Sequence, residues 1–217
     1  MIIKKFLHSC ILIEEKGKKL LFDPGTFSFI EKKLKPEDIG AVDVIVLTHL
    51  HPDHYYPEAL KIITALKPTK IVTHEEIGKL LKEEGLSFEA IKAGETKEIE
   101  GFTIQAFEAP HGCLPIEVPH NLAYLINNKV LHPGDSYDIH GFKSCELLLL
   151  PIAGPWATVT NAFDLAKKIK PKVVIPIHDG IIKEFFLEVL YGRLLGNTLK
   201  QHGIEFRALK IEEKLEI

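Results

Sequence analysis

Three imidazoles and a carboxylate crowd into one heptapeptide, Thr48-His49-Leu50-His51-Pro52-Asp53-His54. In an extended segment His49 and His51 point to one side and can share a metal ion. Asp53 and His54 follow where the chain bends towards a helix, so they can serve a second ion beside the first. Neutral imidazole suits Zn, Fe, Ni or Mn, and the carboxylate makes the second position harder. A single histidine is commonly a solvated or hydrogen-bonded side chain without chemistry. Four ligand-type groups packed this closely, directly after an apolar run, point to metal binding.

That run is Asp43 to Leu47, continuous in apolar character as in a strand buried on both faces. The helical spacing of Pro57 to Leu66 follows, so the motif lies on a loop between a strand end and a helix start, where rigid flanks hold functional side chains. Upstream, Ile2 to Leu7, Cys10 to Glu15 and Lys18 to Phe22 read as strands. Lys16-Gly17 joins the last two as a hairpin, and Asp23-Pro24-Gly25 forms a turn. Further strands are predicted at Lys70 to Thr73, Phe102 to Phe107, Leu122 to Ile126, Lys129 to His132, Leu147 to Ile152, Val173 to Ile177 and Phe206 to Ile211. Helices are predicted at Glu75 to Glu84 (closed by Gly85), Asn161 to Ile169 and Ile182 to Leu199. Strands dominate each half with helices between some of them, which favours layered sheets with helices outside over a pure βαβ array.

HxHxDH after an apolar strand resembles the signature of the metallo-β-lactamase-fold hydrolases. Ala109-Pro110-His111-Gly112, Pro133-Gly134-Asp135-Ser136 and Pro176-Ile177-His178-Asp179 match that family's later elements, in order and each after a strand. Three further stretches are similar to the subgroup that includes ascorbate-6-phosphate lactonase. They are His8-Ser9-Cys10 with Phe22-Asp23-Pro24, Leu150-Pro151-Ile152-Ala153-Gly154, and Lys170-Pro171-Lys172 leading to Ile175-Pro176-Ile177-His178. The resemblance implies an α+β, four-layer αββα sandwich of two mixed sheets with helices outside, as one domain over 1–217. It also implies a binuclear centre, zinc first, with Mn, Ni or Fe as alternatives. One ion would take His49, His51 and His111, the other Asp53, His54 and His178, with Asp135 between them. The implied nucleophile is a metal-bridged hydroxide, since ions about 3.5–4 Å apart favour a shared anion and water bound to zinc ionises near pH 7. Asp53 and His8 are the catalytic candidates; His8 either contacts substrate, protonates a leaving group or plays a structural part. Leu7, His132-Pro133 and Asp179 depart from the subgroup's pattern, which bears on substrate and leaves the metal ligands untouched.

Asp23 is read either as an orienting carboxylate or as a turn residue. A structural role is expected for His132, and core or capping roles for Trp156 and Asn161. His74, His120, His140 and His202 have no partners at ligand spacing. The net charge of −3 and the pairing of 25 Lys with only 2 Arg give no basic stripe, which argues against a nucleic-acid binder. No apolar run approaches the roughly 18 residues of a membrane span. The short apolar stretch near the N-terminus does not read as a leader, so a cytoplasmic protein is expected. Cys10, Cys113 and Cys145 form no CxxC pair and are read as unpaired. The leading expectation is a hydrolase of small, anionic ester, lactone or phosphoester substrates, with a homo-oligomer among the possible assemblies. The alternatives are a nuclease or phosphodiesterase of the same fold, a mononuclear iron enzyme that oxidises sulfur compounds, and a non-catalytic metal-binding or sensing protein.

Overall fold

In the computed structural model, which describes residues 1–217, Lys16 and Gly17 both take positive φ (51° and 76°). They turn β2 (Ile11–Glu15) back onto β3 (Lys18–Phe22), the geometry that matches strand twist in a two-residue hairpin. β1 (Ile2–Lys5) pairs antiparallel with β2, while β4 (Val44–Val46), β5 (Lys70–Thr73) and β6 (Glu89–Ala90) continue beyond β3 in parallel. A second sheet contains β7 (Thr96–Ile99), β8 (Phe102–Glu108), β9 (Leu122–Ile126), β10 (Val130–His132), β11 (Leu147–Pro151), β12 (Val173–Ile177) and β13 (Glu205–Phe206). β14 (Lys214–Glu216) returns to pair with β1, so each mixed sheet has seven strands.

The alternation of apolar residues places one set between the sheets and the other beneath helices. Leu20, Phe22, Val44 and Val46 meet Ile104, Tyr124, Leu147 and Leu149 in the central layer. On the far side of the first sheet, Leu21, Ile45 and Ile71 are covered by Leu60 and Ile63 of α1 (Pro57–Ala65) and by Ile77 and Leu81 of α2 (Glu75–Glu83). On the far side of the second, Leu148, Leu150 and Val174 pack against α3 (Val159–Ile169). The C-terminal helical segment joins them. It comprises α4 (Glu184–Glu188), wider π turns over Val189–Gly196, and α5 (Asn197–Gln201). The order is therefore α-β-β-α.

One expectation needs correction, and two further strands were not anticipated. Phe206 to Ile211 is not a closing strand: only Glu205–Phe206 pairs there, and the edge role passes to β14. The short β6 and β7, rich in charge and half exposed, carry too weak an alternation to read from sequence.

The strand directions place the chemistry. β1, β3, β4 and β5 run the same way, as do β8, β10, β11 and β12. Their C-terminal ends therefore share one edge of the sandwich, and His8, Asp23, the His49–His54 loop, His111, Asp135 and His178 each follow one of those ends.

Candidate metal centre

The loop after β4 is anchored from beneath by Asp23. Its carboxylate accepts the Thr48 N–H (2.9 Å), the Thr48 hydroxyl (2.7 Å) and His54 Nδ1–H (2.7 Å). Because the Thr48 hydroxyl spends its proton on Asp23, it accepts from His49 Nδ1–H at 3.0 Å. Both rings therefore offer Nε2 to the cluster, the arrangement by which outer carboxylates orient metal-binding imidazoles. His111 is set the same way, its Nδ1–H donating to Gly112 O at 2.7 Å. Gly25 makes the close approach of the loop possible: a Cβ there would fall 1.9 Å from the Asp53 carbonyl oxygen.

Seven side chains meet in two touching groups. His49, His51, His111 and Asp135 form one; Asp53, His54 and His178 form the other, with His8 added. His51 Nδ1 lies 3.2 Å from both His49 Nε2 and His111 Nε2, so one proton on it could satisfy only one of the two. Asp135 stands between the groups. Its Oδ2 is 3.5 Å from His111 Nε2 and 3.0 Å from His178 Nε2, and its Oδ1 is 3.2 Å from His54 Nε2. Asp53 Oδ2 is 3.2 Å from His178 Nε2 and 3.1 Å from His8 Nε2.

Charge follows this geometry. Burial works against the Asp135 carboxylate, but His54, His178 and His49 hold it well below the usual range. Burial likewise opposes Asp53, and the nearby His178 ring together with the hydrogen bond from His8 pulls its carboxyl far down. Burial alone would discharge His178, yet Asp135 and Asp53 raise it to about 9. Burial opposes the His54 charge too, but Asp135 and Asp23 hold its imidazole well above the ordinary value. His49, farther from a carboxylate, is driven well below its ordinary value by burial and its neighbours. Buried carboxylates are thus balanced by protons on two imidazoles, a charge that divalent cations can supply instead. His54 Nε2, His178 Nε2 and Asp135 Oδ1 are buried without a hydrogen-bond partner. Converging, partnerless nitrogen and carboxylate donors fit borderline divalent metal binding.

The residues around this cluster divide unexpectedly. Trp156, for which a core role was expected, donates Nε1–H to Asp135 Oδ2 at 3.0 Å. Asn121, unremarked in the sequence, receives the Asp135 N–H on Oδ1 (3.2 Å) and donates to Ala109 O and Pro133 O. A Cβ at Gly134 would collide with that side chain at 1.9 Å. His132 lies beneath the cluster, its Nδ1 accepting the Gly134 N–H, its Nε2 3.6 Å from Asp23 Oδ2 and its ring packed against Phe22. Asp179 pairs with Lys5 and Tyr191 in the interior, so it does not shape a substrate wall. Asn161 gives only its backbone N–H, to the Thr158 cap. His8, Asp23 and His178 sit at positive φ (57°, 42° and 61°), a strain that functional sites concentrate. His74 and His120, without partners in sequence, come together with ring centroids 4.7 Å apart.

The family model for the Beta-lactamase superfamily domain matches residues 2–178. A Mycobacterium tuberculosis protein is 29% identical, over 91% of this chain and 93% of its own. A UPF0173 metal-dependent hydrolase from Thermoplasma volcanium is 32% identical, over 97% of this chain and 96% of its own. Among solved structures, a metallo hydrolase from the archaeon Ignicoccus hospitalis superposes with a TM-score of 0.76 at 23% identity, covering 100% of this chain and 98% of that one. That likeness concerns the fold.

Proposed function

The chain belongs to the metallo-β-lactamase superfamily, and from that premise we propose that it is a metal-dependent hydrolase with a binuclear centre, acting on a small anionic ester, lactone or phosphoester. The observation that carries this reading is the position of Asp135 between the two donor groups, in contact range of His111, His54 and His178. His49, His51 and His111 would hold one ion, and Asp53, His54 and His178 the other, with zinc the first candidate and Mn, Ni or Fe the alternatives. Ions bound there would acidify a water molecule and stabilise the oxyanion of the attacked group.

The chain's own groups do the rest. Only His51 and Asp53 of the cluster are more than slightly exposed, so substrate must arrive on their side. Asp53, kept ionised, is the carboxylate that faces the approaching substrate. His8 is fully buried, and burial pushes its imidazole down to about 4 despite Asp53. Its Nδ1 accepts the Gly180 N–H at 3.2 Å, which leaves the proton on Nε2 to be donated to Asp53. His8 is therefore a positioning residue for Asp53 rather than an acid poised for a leaving group. Two divalent ions would exceed Asp53, Asp135 and one bound hydroxide by one positive charge on the open side, with Asp23 lying beneath on the Thr48 and His54 Nδ1 side, and this favours an anionic substrate.

The lactonase-like subgroup serves as a guide to test compounds. Unpaired Cys10, Cys113 and Cys145 suit a reducing compartment, and we place the protein in the cytoplasm on that basis. No helix is long and apolar enough to cross a membrane. Lactones, phosphomonoesters and phosphodiesters assayed with Zn, Mn, Ni and Fe test the proposal. Turnover by the metal-loaded protein, abolished by chelation, is expected; no turnover of any class by protein carrying two ions would overturn it.

A further inference from the structure

We propose that His74, Glu76 and His120 form a separate zinc site, which braces the strand entry that positions Asp135. One donor atom from each of the three lies within 4.8 Å of the others. Glu76 and His120 reach solvent, so modest side-chain rotations bring all three to the roughly 2 Å of zinc coordination. His74 is only 3% exposed, and neither of its ring nitrogens has a hydrogen-bond partner. A buried imidazole with two idle nitrogens loses the water it would have had in the unfolded chain, and a metal ion compensates one of them. Burial, with His120 alongside, pushes His74 down to about 4 against the pull of the Thr48 and His120 main chains. The ring is therefore neutral, the form that binds metal.

The surroundings suit a cation. His74 caps the N-terminus of α2, where the helix dipole disfavours positive charge, but Glu75 and Glu76 in the first turn offset it. Glu76 Oε2 already accepts the His120 N–H at 3.0 Å. On the other side Glu108 Oε2 lies 3.3 Å from His120 Nε2 and can take that ring's proton while Nδ1 binds. Two imidazoles and a carboxylate, with a fourth position open to water, form a set that zinc accepts.

The site also spans separate parts of the fold. His74 follows β5 of the first sheet, and His120 precedes β9 of the second. The next residue, Asn121, holds the Asp135 main chain and ties Ala109 O to Pro133 O. A bound ion would fix both sheets at the edge where the main cluster lies. The assignment does not depend on how many ions that cluster binds.

Zinc alone is the probe. The purified full chain, dialysed against low micromolar zinc, should carry one equivalent more than His120→Ala or Glu76→Gln treated alike. Both side chains are accessible, so both variants should fold. Crystals of the zinc-loaded wild type should show anomalous scattering at the zinc edge between His74, Glu76 and His120. That peak supports the site even if the main cluster proves mononuclear or empty. Its absence overturns the proposal, as does equal zinc content in wild type and both variants.

Discussion

Asp23 Oδ2 lies 2.7 Å from His54 Nδ1, joining the turn after β3 to the loop after β4 inside a fully buried pocket. One carboxylate thereby fixes the His54 ring directly and the His49 ring through the Thr48 hydroxyl. Asp23→Asn keeps the shape but removes the anion that draws both Nδ1 protons. Metal affinity, measured by competition with a chelator, should fall about 10- to 100-fold, as for other outer carboxylates. Unchanged affinity would make Asp23 a turn residue only.

Trp156→Phe keeps an aromatic ring against His111 and Tyr137 but deletes the Nε1–H donated to Asp135. Hydrogen bonds to charged groups contribute about 1.5–3 kcal/mol. A drop in kcat/KM of roughly tenfold or more, with a folded protein by circular dichroism, is the expected result. Wild-type kinetics would show that the indole merely packs.

Gly25→Ala tests the close approach of the Asp23 turn to the metal loop. The backbone there (φ −82°, ψ 173°) suits alanine, so space alone forbids it. Crowding of this kind costs about 1–3 kcal/mol. A lowered Tm together with weakened metal binding is predicted, and a Tm within a degree of wild type would contradict it.

Asp43 carries a stability effect with a defined pH window. Burial opposes its charge, but Lys67 at 2.7 Å, the Lys19 N–H at 2.9 Å and Lys18 at 3.0 Å lower its carboxyl from 3.8 to about 2. A depressed carboxyl stabilises the fold above its unfolded value, and that stabilisation is lost as pH falls from about 4 through about 2. At 1.36 kcal/mol per pKa unit the contribution is about 2 kcal/mol, an upper figure because both lysines are partly exposed. Asp43→Asn should destabilise by up to that amount at pH 7 in urea titrations, and most of the difference should be gone at pH 2. A difference undiminished at pH 2 would place the effect in packing instead.

The metal loop was legible because its donors are neighbours in sequence and its flanking strand and helix have clear periods. The later histidines and Asp135 were found through order of motifs, a family resemblance rather than a local signal. Trp156 and Asn121 escaped because their contacts with Asp135 join segments of ordinary composition, and an indole or amide in a loop carries no period. His74 and His120 escaped for the same reason: only the facing ends of β5 and β9 bring them together. β14 was missed because three residues, two of them charged, show no alternation until β1 supplies the pairing.

In the proposed centre two ions share the cluster, and Asp53 serves only one of them. Metal analysis and kinetics of Asp53→Ala beside wild type test it most directly. The variant should stay folded, carry one equivalent fewer, and turn over about a hundredfold more slowly, the order of loss seen when one stabilising group is removed from an oxyanion site. Asp53→Ala with full metal content and near-normal turnover would contradict both the ligand assignment and the role of the second ion.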